Sequence, residues 1–201
     1  MPRQIHIMQQ GDYSDDLILK DALQLYFSKY HFENGGYDWK WFKIKLGPIF
    51  IPLPNIKARV DAVKIHDIHH IINEFPATWK GEAEIGAWEL AGGCGRFWVG
   101  WLLNAGSFFI GLFLFPKSTY KAFMKGRRCT RNFNYDTEYN DALLNKSVGE
   151  LRATCGVDNA QPNTIKDYLL FILCCILTTA YHIGMLMATC WAIERIYHLF
   201  I

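Results

Sequence analysis

The run His66-Asp67-Ile68-His69-His70 puts three histidines and an aspartate within five positions, and Glu82, Glu84 and Glu89 follow it. On a helix successive residues turn by about 100°, so His66 and His70 lie one turn apart on nearly the same face, with Asp67 flanking them. Two histidines at that spacing can grip one metal ion from a single helix. Phe75-Pro76 ends the helix, because the residue before a proline is pushed out of helical geometry. A second helix starting within a few residues is then an antiparallel neighbour. Glu82, in the first turn or so of that helix, reaches back toward the first. His66, Asp67, His70 and Glu82 together offer two nitrogens and two carboxylates. That set suits a divalent metal, zinc first and also iron or manganese. The alternative is a charged surface face. Four ligand-type residues at chelating spacing, on two helices joined by a short loop, weigh against it.

His69 sits about 100° from His70 around the helix, which makes it a donor behind a ligand or a surface residue. Glu84 is likewise expected behind the ligands. Glu89, seven residues after Glu82 and on its face, is the candidate for orienting a ligand or for acid–base catalysis, and equally for pairing with a lysine or arginine. His66-x-x-His69-His70 also matches a histidine box of membrane desaturases and hydroxylases. Those enzymes carry several such boxes, and here His6, His31, His182 and His198 are isolated. Position 67 is Asp, so the HExxH signature of metalloproteases is missing.

The elements that position these residues follow from periodicity. Ile18, Leu19, Ala22, Leu25 and Tyr26 have helical spacing, with Asp15 as the start signal and "NGG" at 34–36 as the stop. Phe42, Ile44 and Leu46, then Ile49, Ile51 and Leu53, alternate around Gly47-Pro48. A period of two around a turn signal predicts a short β-hairpin, with an extended proline-rich segment as the alternative. Asn55 is placed to cap the histidine helix, about Ile56 to Glu74. The next helix runs from Trp79 or Lys80 to the glycines at 92, 93 and 95. One or two short helices are expected in "NDALLNKSVGELRATCGV", followed by a linker, "NAQPN". The fold class is all-α: a helical bundle with a hairpin near the N-terminus and a C-terminal membrane helix. Its divisions are 1–54 (helix and hairpin), 55–160 (the metal-binding helical domain) and 165–201 (the membrane helix).

Two stretches carry no charge. Tyr168 to Ile193 is 26 residues without Lys, Arg, Asp or Glu, and about 20 apolar residues are enough to cross a bilayer. The other, 97–116, is interrupted by Asn104, Gly106 and Ser107. Three readings stand open for it: a second span, a helix lying in the membrane interface, and a helix packed beneath the metal helices. The six cysteines include no CxxC pair, and the start "MPRQIHIMQQGDYSDD" lacks the apolar core of a signal peptide. A reducing compartment is expected. Net charge is only +2, which gives nucleic-acid binding no support. Six basic residues between Lys117 and Arg131 put that segment on the cytoplasmic or matrix side by the positive-inside rule.

His66-Asp67-x-x-His70, eleven residues, then Glu82 resembles the signature of the fourth coenzyme Q biosynthesis protein family (the Coq-four family). "RVDAVKIHDIHH" and "TWKGEAEIGAWELA" resemble the family's two motif helices, and "KAFMKGRRCTRNFNY" with "DALLNKSVGELRATCGV" its closing segment. The resemblance covers roughly Asn55 to Val157. The first 54 residues and the apolar C-terminus stand outside it. It implies an all-helical protein on the inner face of an energy-transducing membrane, with zinc or another divalent metal on His66, Asp67, His70 and Glu82. It also implies a late step of ubiquinone synthesis: removal of the ring carboxylate from a polyprenylated 4-hydroxybenzoate-type intermediate, with hydroxylation at the same carbon. The expected partners are that prenylated quinone intermediate, membrane lipid, other quinone biosynthesis proteins and a second copy of the chain as a homodimer. A non-catalytic, lipid-binding scaffold for those enzymes is the alternative. A membrane-anchored hydrolase outside quinone chemistry is the third reading.

Overall fold

The computed structural model describes residues 13–46, 49–130 and 132–200. Eight helices and one hairpin follow in order: α1 (Leu19–Tyr30), β1 (Trp41–Leu46), β2 (Ile49–Pro54), α2 (Lys57–Asn73), α3 (Trp79–Gly92), α4 (Trp98–Leu114), α5 (Pro116–Arg128), α6 (Asp141–Leu144), α7 (Val148–Cys155) and α8 (Ile165–Phe200). The all-α class, the hairpin and the single long apolar C-terminal helix are as the sequence predicts. β1 and β2 pair antiparallel from Trp41↔Pro54 to Leu46↔Ile49. The start segment read against a signal peptide, the Gly47-Pro48 turn and Arg131 of the basic cluster lie outside the described residues.

Two helix starts differ from expectation, and in each the side chain is engaged elsewhere. Asp15 does not open α1, which begins after Ile18. Its carboxylate accepts from Arg152 Nη1 at 2.6 Å, and its carbonyl accepts from Gly149 N at 3.0 Å, so it ties the N-terminus to α7. Asn55 does not cap α2, whose N-cap is Ile56. Its amide instead donates to the carbonyls of Gly36 (3.0 Å) and Trp39 (2.9 Å), closing the turn before the hairpin.

The α2–α3 connection sets the site. Glu74 turns left-handed at φ 61°, and Phe75 N donates to His70 O at 3.1 Å. Thr78 then caps α3, its hydroxyl accepting from Gly81 N at 3.2 Å, which places Glu82 in the first turn. A Cβ on Gly81 would stand 1.7 Å from the Pro76 carbonyl oxygen. Gly81→Ala must open this loop, and overpacking of this kind costs about 1–3 kcal/mol. The expected result is a lowered melting temperature together with weaker metal retention, because the same loop aims Glu82 and supports His70.

α3 is buried on nearly all sides: Ala83, Ile85, Ala87, Trp88 and Ala91 are each at most 2% exposed. On one side Trp88 joins Ile65, Ile68 and Ile72 of α2, Tyr26 of α1 and Leu151 of α7. On the other, Ala87 and Ala91 meet Phe108 of α4 and Phe123 of α5. α5 crosses very close at Gly126, where a Cβ would stand 2.4 Å from the Trp88 carbonyl oxygen.

α8 is the one helix among the described residues long and apolar enough to cross a membrane. Its first half is docked. Asp167 accepts from Arg127 Nε at 2.8 Å, Phe171 packs on Tyr120, Phe123 and Phe108, and His182 stacks on Phe109 at 4.2 Å. From Ile183 through His198 every residue is exposed. α4, at 17 residues, packs on α3 and α5 through Asn104, Phe108 and Gly111. Its other face leaves Trp98, Trp101, Leu102, Phe113 and Leu114 exposed.

Candidate metal centre

His66, His70 and Glu82 converge, their ligand atoms all within 4.8 Å of one another. His66 Nε2 faces His70 Nε2 at 3.1 Å. The Glu82 carboxylate lies across both rings, Oε2 3.5 Å from His66 and Oε1 3.5 Å from His70.

Both rings are fixed from behind. His70 Nδ1 meets the Phe75 carbonyl at 2.9 Å. A carbonyl only accepts, so His70 donates from Nδ1 and carries its lone pair on Nε2. His66 Nδ1 meets Glu89 Oε2 at 3.2 Å and donates in the same way. In the neutral rings, two nitrogen lone pairs therefore face each other at 3.1 Å. They repel unless they share a cation. Neighbouring ligands on one ion at bond lengths near 2.1 Å stand about 3.0–3.4 Å apart, and the pair has that separation. The residues fit a divalent metal on donor type, tautomer and spacing.

Glu89 is the hub behind the ligands. It is 3% exposed and accepts from His66 Nδ1, from His69 Nδ1 at 2.5 Å, and from the buried Asn104 amide on α4. Burial alone would raise its pKa. The charge of His66 and the hydrogen bonds from His66 and His69 outweigh burial and hold the carboxyl well below the usual range. A carboxylate so strongly held as the anion orients a ligand better than it shuttles protons. His69 is fully buried and accepts from Phe133 N on Nε2 at 3.2 Å. Burial lowers its pKa, with only partial relief from Glu89. It is a neutral strut between α2, α3 and the loop after α5.

The remaining candidates are placed apart. Asp67 is buried, and its Oδ2 accepts from the Tyr37 hydroxyl at 2.7 Å, so it stands outside the convergent three. Burial pushes its pKa up to about 6, against the Tyr37 hydrogen bond and the two histidines. Glu84 pairs with Lys80 at 3.7 Å rather than with a ligand, since it sits about 200° around α3 from Glu82. Glu89 meets histidines instead of the lysine or arginine that was its alternative. Residue spacing missed Tyr37, Asn104, the Phe75 carbonyl and Phe133 N. Only Asn104 left a signal, as a polar residue within a charge-free stretch.

The centre sits at the polar end of a cavity of ≈640 Å³. His66, Asp67, Glu82 and Glu89 line that end, and Trp39, Phe42, Val63, Leu102, Leu103 and Ile110 line much of the rest.

Protons compete with a metal here. Burial lowers the His66 pKa, but Glu89 and Glu82 outweigh it and raise it well above the ordinary value. In the metal-free protein His66 thus stays protonated into the neutral range, and an incoming ion must displace that proton. Zinc affinity, followed by competition with a chelating dye, is expected to rise with pH by up to about tenfold per unit while one proton is released. Stability of the metal-free protein runs the same way at acid pH. Burial raises the Glu82 pKa, and His70 and His66 outweigh it, so Glu82 and Glu89 are both depressed in the folded state. Their contribution is complete above the unfolded carboxyl value of about 4.3 and is lost as pH falls below it.

Fold and site define an all-helical protein with a two-histidine, one-glutamate group able to hold a metal ion, and one helix suited to a membrane. No family model, no curated protein and no solved structure matches the chain.

Proposed function

We propose that this chain is a membrane-anchored metal protein of quinone synthesis. It acts on a polyprenylated 4-hydroxybenzoate-type intermediate: the ring carboxylate leaves as carbon dioxide and a hydroxyl takes its place, with dioxygen as the oxidant, one of its oxygen atoms ending on the ring and the other in water, and with two electrons and two protons from an external reductant. The observation that carries the reading is that His66 and Glu82, which converge with His70, line an apolar cavity walled by α4. The phenolic oxygen of the ring suits the group of His66, His70 and Glu82, and an isoprenoid tail suits Leu102, Leu103 and Ile110. Zinc is the expected ion, with iron or manganese as the alternatives; a bound divalent cation polarises a ligand oxygen without proton transfer. Glu89 and the Phe75 carbonyl hold the two imidazoles in the ligating tautomer. Trp39 and Phe42 keep water from the head group.

α8 spans the inner membrane in this reading. Its docked first half brings the exposed apolar face of α4 to the bilayer surface, so that the tail enters from lipid. Lys117 and Lys121, exposed on α5, keep the domain on the cytoplasmic or matrix face. Single cysteines at Lys20 and Lys121, in a background with the six native cysteines replaced, are expected to react with an impermeant thiol reagent only after the membrane is broken. Labelling of Lys20→Cys alone before lysis rejects the single span.

The function is tested by lipid profiling of a deletion strain. Loss of quinone with build-up of a prenylated aromatic acid is the expected result, and unchanged quinone content sinks the proposal. One observation favours the scaffold alternative: Glu89 is held as the anion by His66, His69 and Asn104, which commits it to orienting ligands rather than to moving protons. A metal-free variant that still folds, binds lipid and supports quinone levels would establish the scaffold. As a scaffold or as an enzyme, the chain's proposed partners are the other quinone biosynthesis proteins and a second copy of itself.

A further inference from the structure

Arg59 lines the same cavity and has no counter-ion among the described residues. It precedes His66 by seven residues on α2, two turns and about 10 Å along the axis, on nearly the same face. Both line the cavity, with Ala62 and Val63 between them. Its Cζ lies 3.7 Å from the centre of the Phe42 ring, and its Nη1 donates to Asn55 Oδ1 at 2.7 Å. Its Nε is buried and has no hydrogen-bond partner. No described carboxylate stands within ion-pair distance of it; the nearest field is that of Asp67, whose Oδ2 is taken by Tyr37. Burial works against its charge. A guanidinium that is stacked, half-buried and short of an acceptor is set to take a planar anion by two parallel hydrogen bonds.

We propose that Arg59 receives the acidic group of the ligand, holding a carboxylate at the hairpin end of the cavity while the ligand's other polar end meets His66, His70 and Glu82. The proposal rests on the reading above for the identity of the acid. The cavity is then polarised along α2, with carboxylates at the metal end and Arg59 at the other, Lys43 lining the wall beside it. An aromatic acid with a hydroxyl across the ring lies along α2 between the two, and its tail runs along α4. Arg59 thereby distinguishes an acid from the neutral hydroquinone formed when a hydroxyl replaces the carboxylate, so that substrate binds and product leaves.

The test uses the full chain in detergent, zinc-loaded, with two probes: 3-geranyl-4-hydroxybenzoate and 2-geranylphenol, which differs from it only by lacking the carboxylate. Binding is read by tryptophan fluorescence, since Trp39 lines the cavity. Wild type is expected to prefer the acid by at least about tenfold, as two charge-assisted hydrogen bonds allow. Arg59→Gln should bring that ratio to near one while phenol affinity and metal content stay as in wild type. Arg59→Lys should keep part of the ratio, having the charge without the fork. An unchanged ratio in Arg59→Gln overturns the proposal. So does an equal loss of acid and phenol, which would make Arg59 a brace for Phe42 and the hairpin. Palmitate and hexadecanol separate this inference from the reading it rests on. If palmitate shows an Arg59-dependent preference and the aromatic acid does not bind, Arg59 is an acid receptor and the aromatic substrate is wrong. If the aromatic acid is preferred equally by wild type and Arg59→Gln, the substrate class stands and the role of Arg59 falls.

Discussion

Wild-type protein purified in mild detergent is expected to carry about one equivalent of divalent metal, and His70→Ala less than about a tenth of that. His70 is the ligand with least freedom. It is 1% exposed, its Nδ1 is committed to the Phe75 carbonyl, and its Nε2 faces His66. Alanine there leaves one imidazole and one carboxylate, too few donors to hold an ion against a chelator. It leaves untouched the network of Glu89 with His66, His69 and Asn104. The variant should therefore stay folded, and its melting curve should no longer respond to added zinc. Elemental analysis of both proteins decides the matter. Equal metal in wild type and variant would falsify the centre.

Glu89→Ala is expected to have the other large effect, and on two readouts. Three donors, from His66, His69 and Asn104, end on this one buried carboxylate. Removing one partner of a buried charged network costs about 3–5 kcal/mol, because the others are left without acceptors. Glu89→Gln keeps the volume but loses the charge and the acceptor on one side, so at least one histidine must turn or change tautomer. Loss of a carboxylate behind a metal-bound histidine lowers metal affinity by about 10–100-fold. The combination to look for is a folded Glu89→Gln protein with weakened zinc binding, beside a Glu89→Ala protein with a strongly lowered melting temperature. If Glu89→Gln binds zinc as tightly as wild type, the carboxylate does not orient His66.

The sequence by itself determined what depends on neighbours along the chain. His66 and His70 share a face because helical rotation puts them there. Glu82 reaches them because Phe75-Pro76 ends the first helix and the next one starts within a few residues. The hairpin was legible in a period of two around Gly47-Pro48, and α8 in the length of its apolar run. Tertiary structure alone decided which polar groups those ligands meet. Asp67 has ligand chemistry and ligand spacing, yet Tyr37, thirty residues earlier, takes its carboxylate. His69, read as a donor or a surface residue, is sealed in the core by a hydrogen bond spanning 64 residues to Phe133. Glu89 became the hub because α4 brings Asn104 against α3. Asp15 and Asn55 carry helix-start signals and spend them on contacts with α7 and with the turn before the hairpin. A side chain's acceptor is chosen by what packs over it. A spacing rule can assign a residue to a face of a helix, but the partner on that face comes from another part of the chain, placed there by the burial of apolar surface between helices.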